Sequence, residues 1–136
     1  MKATKKQLII GWTLSGLVIL FMLFDATIKF LKPVEVIQTT VNELGYTEDH
    51  ISIHGILALI ATLLYAVPRT SILGAILLTG YFGGAIASHL RVDNPTFSHT
   101  LFPLYVGLLT WGGLWLRNIK LRQIFPFATQ NNINNL

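Results

Sequence analysis

The chain has 136 residues, 52% of them hydrophobic and 12% charged, with a net charge of +4 at neutral pH and no cysteine. Soluble domains carry about twice that charged fraction, so lipid rather than water is the expected solvent. The missing thiols exclude disulfides, thiolate metal sites, iron–sulfur ligation and any thiol relay carried by this chain alone.

The positive charge does not mark a nucleic-acid binder. Lys2, Lys5 and Lys6 precede the first apolar run, and Arg117, Lys120 and Arg122 follow the last. Basic residues at the ends of apolar runs set membrane topology. The expected partner is the lipid bilayer, with no nucleic acid.

The first apolar run covers residues 8–31, interrupted late by Asp25 and Lys29. A span needs about 20 residues, so this run crosses with some tilt. A secretory signal has an apolar core of only about 7–15 residues and a small-residue cleavage site. This run is longer and ends in Phe30-Leu31-Lys32-Pro33, so the helix is expected to be kept.

Residues 32–50 are polar, but Val34, Val36, Ile37 and Val41 give the stretch an amphipathic character suited to the membrane surface. Thr47-Glu48-Asp49 offers an N-cap followed by first-turn acids, a helix start. The second run, 51–67, stops at Pro68, and Pro68, Arg69 and Thr70 form a tight connection.

The third run, 72–90, is rich in small residues, including Gly74 and a GxxxG pair at Gly80 and Gly84 that Gly83 and Ala87 extend. Small residues let membrane helices approach closely, so Gly80, Gly83, Gly84 and Ala87 are expected to be a helix-packing face. A polar loop follows over 91–99. The fourth run, 100–116, carries Tyr105, Trp111 and Trp115, the last of them an interface anchor beside Arg117. Residues 127–136 are Asn-rich and expected to be disordered, leaving 1–126 as one domain.

With the N-terminus inside, seven basic residues (Lys2, Lys5, Lys6, Arg69, Arg117, Lys120, Arg122) lie on the cytoplasmic side against three (Lys29, Lys32, Arg91) opposite. The expected fold is therefore all-α: a left-handed, membrane-spanning four-helix bundle with both termini cytoplasmic. Its place is the inner membrane if the source is bacterial, alone, as a homo-oligomer or with a membrane-complex partner.

From the second run onward the chain resembles the DoxX-like family of small four-helix membrane proteins. The residues that carry the likeness are Pro68-Arg69-Thr70, Gly74 and, above all, Gly80-Tyr81-Phe82-Gly83-Gly84-Ala85-Ile86-Ala87-Ser88-His89-Leu90-Arg91. Pro95, Leu101-Phe102-Pro103, Trp111, Arg117 and Pro126 continue it. The resemblance implies the fold first. It also implies a role as an accessory or quinone-associated subunit of a membrane redox complex, because the broader DoxX group is associated with quinone-linked sulfur oxidation and membrane oxidoreductases.

The candidate site residues gather at the non-cytoplasmic ends of the runs. Asp25 and Lys29 are four apart in the favourable order for an intrahelical pair, and a carboxylate at membrane depth needs a partner. Arg91, on the glycine face of the third helix, is the expected partner, with His54 nearby to take or pass a proton. Tyr81 and Ser88 are placed to line a cavity and bond a quinone carbonyl or another polar head. His50 and His54, one helical turn apart, are candidate metal or haem ligands with His89 or His99 completing the shell. No nucleophile–base–orienter set, phosphate loop or nucleotide fingerprint appears, so no enzyme activity is expected of the chain alone. Besides the redox subunit, the residues leave open a small carrier or binding protein for an amphipathic ligand, and a histidine-based metal or haem site.

Overall fold

The computed structural model describes residues 2–128 together with Asn131 and Asn134. The expectation of a disordered tail over 127–136 falls largely outside the described residues.

Helix α1 spans Lys5–Leu31. It starts before the apolar run because Thr4 and Gln7 cap each other: the Gln7 N–H donates to Thr4 Oγ1 at 3.2 Å, and the Thr4 N–H to Gln7 Oε1 at 3.0 Å. Hydropathy reports where apolar residues begin, whereas the cap decides where the helix begins. The helix ends on Lys32 in the left-handed conformation, followed by Pro33. A short helix α2, Val34–Ile37, then runs into a π-helical segment, Gln38–Glu43. Gly45, at φ 76°, turns the chain into α3, Glu48–Ala66, behind the Thr47 cap. Pro68 closes α3, and α4 covers Ser71–Arg91. A second π-helical segment, Thr96–Thr100, leads into α5, Phe102–Arg117, and Asn118 both ends α5 and caps α6, Ile119–Ile124.

Among the described residues there is no strand. The four longer helices form a ring in which α1 and α4 each pack on both α3 and α5. Contacts between Ser15 and Tyr65, Phe21 and Phe102, and Thr79 and Trp111 make neighbours antiparallel. Three helices, α1, α3 and α4, are long and apolar enough to cross a membrane; α5 has 16 residues.

The distribution of side chains names the solvent. The centre of the ring is made largely of small or polar residues, among them Ser15, Ala58, Thr62, Ala75 and Thr110, all fully buried. The outer surface carries Leu17, Leu20, Phe24, Leu63, Ile76 and Leu108, all exposed. Water would penalise that arrangement, but lipid does not, since hydrocarbon is as apolar as leucine. The chain is a membrane protein.

The close helix approaches occur at glycines other than those expected. A Cβ on Gly74 would lie 2.1 Å from the Tyr65 backbone nitrogen, and one on Gly11 2.9 Å from Gly113 O. Gly80, Gly83 and Gly84 have open space where a Cβ would sit, and they and Ala87 are exposed. This corrects the expected packing face. The GxxxG spacing is real, but in this chain it borders a void rather than a helix.

The end of the bundle that carries the N-terminus is sealed by a polar network. Tyr65 Oη donates to Thr110 O at 2.7 Å and is 2.9 Å from Ser15 Oγ. Arg117 donates from Nε to Ser15 Oγ and from Nη2 to Tyr65 O, with its guanidinium 4.2 Å over the Trp12 ring. The helices α1, α3 and α5 are thereby fixed to one another through groups that bury their polarity in pairs.

Candidate ligand-binding cavity

At the opposite end the ring opens into a cavity of about 750 Å³. Its size lies in the range of small-molecule sites. The walls are mainly apolar, with Phe21, Leu57, Leu77, Phe102 and Val106 among them, and Gly80 and Gly84 form part of the α4 side. Neither glycine projects a side chain into it, and a Cβ at either position would meet no neighbour.

Polar groups line it from α1, α3 and α4 and from the connection over it, where Glu35, Thr39 and Thr40 lie. On α1, Asp25 and Lys29 stand one turn apart, with Lys29 Nζ 2.5 Å from Asp25 Oδ1. The second carboxylate oxygen accepts from Tyr81 Oη of α4 at 3.2 Å. Both members of the pair are mostly buried, at 21% exposure for Asp25 and 15% for Lys29. The carboxylate is neutralised on one side and hydrogen-bonded on the other, which is how a charge persists at membrane depth. Only one of the three Lys29 N–H donors is used by Asp25.

His54 of α3 also lines the cavity, its ring packed edge-on against Tyr46 at 4.8 Å. No hydrogen bond occupies its ring nitrogens among the described residues. Tyr46 comes from the turn before α3, and its hydroxyl lies 2.5 Å from Ser88 Oγ. Ser88 donates onward to Gly84 O of its own helix, so the Tyr46 hydroxyl is the donor to Ser88. That bond fastens the segment over the cavity to α4.

Asp25, His54, Tyr81 and Ser88 thus meet at one cavity. Arg91 does not join them: it donates to the Leu44 carbonyl at the end of the first π-helical segment. The expected Asp25–Arg91 pair is replaced because Lys29 and Tyr81 each occupy one carboxylate oxygen, while the folded-back 38–44 stretch offers Arg91 a carbonyl. The four histidines do not form one shell either. His50 Nδ1 accepts the Thr47 N–H at 3.4 Å as part of the α3 cap. His89 pairs with Asn94 and His99 with Ser98, their rings 6.2 Å apart. Among the described residues no three His, Asp or Glu side chains are grouped to hold a metal ion.

A model of the DoxX-like family matches residues 13–113. The chain belongs to the DoxX-like family. The matched region runs from within α1 to near the end of α5, so the DoxX-like unit includes every helix of the ring and every polar group of the cavity. Neither the curated proteins nor the solved structures include a match to this DoxX-like chain.

Sequence reasoning missed Tyr46 and treated Lys29 as part of a self-neutralising pair. Tyr46 sits in a polar connection whose role depends on how it folds over the ring. The spacing of Asp25 and Lys29 carried a local signal, but the cavity beside them did not.

Proposed function

We propose that this DoxX-like protein crosses the bilayer four times with both termini cytoplasmic and holds one amphipathic molecule of the lipid phase between its helices. The observation that supports this reading is the 750 Å³ cavity, apolar along its walls and polar where Asp25, Lys29, Tyr81 and His54 meet. A quinone suits it: the tail runs between apolar helices, and the ring carbonyls accept from the two spare Lys29 donors and from His54. On this reading the protein serves as a quinone-associated, accessory subunit of a membrane redox complex. The excess of basic residues at the N-terminal end of the bundle supports the orientation. The π-helical turn ahead of α5 lengthens the fourth crossing beyond its 16 residues.

The test is thermal unfolding of purified protein in mild detergent with an alkyl-benzoquinone, against a fatty alcohol of equal chain length. The quinone is expected to raise the midpoint more than the alcohol, and His54→Phe is expected to remove the difference. Equal shifts for both compounds, or a quinone shift unchanged in His54→Phe, would defeat the quinone reading. A second reading, a carrier for another amphipathic ligand, is favoured by the carboxylate–ammonium pair, which suits a hydroxyl or zwitterionic head as well as a carbonyl. Mass spectrometry of lipid extracted from the purified protein separates the two.

A further inference from the structure

All six acidic side chains, Asp25, Glu35, Glu43, Glu48, Asp49 and Asp93, belong to the cavity end of the bundle or its connections. Among the described residues the basic side chains of the other end have no carboxylate partner, and Asp25–Lys29 is the one ion pair. At that basic end a second, smaller pocket of about 310 Å³ lies between α1, the α3–α4 turn and the α5–α6 junction. Trp12, Pro68 and Ile119 form its apolar wall, and Ser71, Arg117, Asn118 and Lys120 its polar one.

The hydrogen-bonding inventory of this pocket is one-sided. Arg117 is held rigidly by Ser15, the Tyr65 carbonyl and the Trp12 ring, yet its Nη1 has no acceptor among the described residues. Asn118 spends its side-chain oxygen on the Leu121 N–H, which leaves its amide nitrogen without an acceptor. Lys120 is exposed and has no ion-pair partner among the described residues. The Ser71 hydroxyl donates to Pro68 O. The unused groups are thus a fixed guanidinium, an amide and an ammonium, all donors and two of them cationic. A guanidinium pre-organised by its other contacts is well suited to an oxyanion. Basic pockets between membrane helices near the interface are a recurring form of headgroup site.

We infer that this pocket binds a phosphate group, with Arg117 as the fixed anchor, Asn118 as a hydrogen-bond donor and Lys120 as the mobile counter-charge. The phosphate is carried by an anionic lipid headgroup or arrives free from the aqueous side. The site is separate from the large cavity and does not depend on what that cavity holds.

The protein is placed in nanodiscs of phosphatidylcholine alone or with phosphatidylglycerol, and retained lipid is counted by native mass spectrometry. Lys120→Gln is expected to lower phosphatidylglycerol retention by about fivefold, the order expected of one basic group near an anionic surface, with phosphatidylcholine unaffected. Lys6→Gln removes the same charge from the same end outside the pocket and is expected to leave retention unchanged. In pure phosphatidylcholine, inorganic phosphate is compared with chloride at equal ionic strength by thermal unfolding. A phosphate-specific rise that Lys120→Gln abolishes identifies free phosphate as the source and upholds the pocket. Equal losses in Lys120→Gln and Lys6→Gln show diffuse surface attraction and overturn the inference. So does the absence of any Lys120-dependent binding of either anion. Arg117→Lys, which keeps the charge but removes the fork, is expected to weaken retention further than Lys120→Gln if folded, and the Lys120 result stands without it.

Discussion

Replacing Gly74 by alanine tests the helix approach on which α3 and α4 depend. The added Cβ would lie 2.1 Å from Tyr65 N, 2.4 Å from Tyr65 Cα and 2.6 Å from Leu64 C. Ordinary contact begins at 3.4 Å, so moving from 2.1 to 3.4 Å demands about 1.3 Å of separation. All three obstacles are backbone atoms, and no side chain can rotate away. Overpacking typically costs about 1–3 kcal/mol, and an obstacle made of backbone places this change at the upper end. Helix propensity returns at most about 1 kcal/mol for glycine to alanine. The expected net loss is ~2 kcal/mol, a fall in the unfolding midpoint of roughly 8 °C for a chain of this size. Gly84→Ala, with open space around its Cβ, is expected to stay within ~0.5 kcal/mol of the parent or to gain slightly. The assay is circular dichroism melting in detergent micelles at one fixed scan rate, because membrane proteins often unfold irreversibly. If Gly74→Ala melts with the parent, or Gly84→Ala proves the more damaged variant, the assignment of close contacts is wrong.

Tyr65→Phe removes a fully buried hydroxyl that serves both Ser15 and Thr110, and is expected to cost about 1–2 kcal/mol in the same melt; a loss under ~0.5 kcal/mol would show the network to be ornamental. Asp25→Asn combined with Tyr81→Phe is expected to show a coupling of about 1 kcal/mol, whereas Asp25→Asn with Arg91→Gln should be additive. Coupling in the second cycle and none in the first would restore the pair that sequence suggested. Reporter fusions at Asn42 are expected to read non-cytoplasmic and fusions after Leu116 cytoplasmic; the reverse at either site contradicts the four-crossing orientation.

How much could be read beforehand varied with how local the cause was. The helix positions were legible because a lipid-facing helix needs only apolar residues and a stop, and Pro33, Pro68 and Thr47 supplied stops and starts. The Asp25–Lys29 pair was legible because one helical turn brings the two groups together. Tyr81 and Ser88, expected to line a cavity, lie at the same end of the ring as Asp25 and His54 because all four belong to the helix halves that open there. Which glycine touches a neighbour was not legible. That depends on where adjacent helices cross, and Gly74 lies close to Tyr65 because the Pro68 turn is so short. The fate of Arg91 was hidden for a similar reason: its acceptor, the Leu44 carbonyl, belongs to a connection whose amphipathic pattern suggested only a surface position. His50 looked like a ligand from its spacing with His54, but its place three residues after Thr47 makes it part of a cap.

A ring that is close-packed at one end and hollow at the other is mechanically a cantilever. At the Tyr65 end the helices are pinned by backbone contacts and buried hydrogen bonds. At the other end the span across the chamber is bridged by bonds such as Tyr81–Asp25 and Tyr46–Ser88. The helix spacing at the hollow end therefore rests on a few side-chain bonds rather than on backbone contact. Arg91, bonded to the Leu44 carbonyl, couples the tip of α4 to the segment lying over the chamber. Roof and wall are thereby joined, so the width of the chamber and the position of its cover are set together.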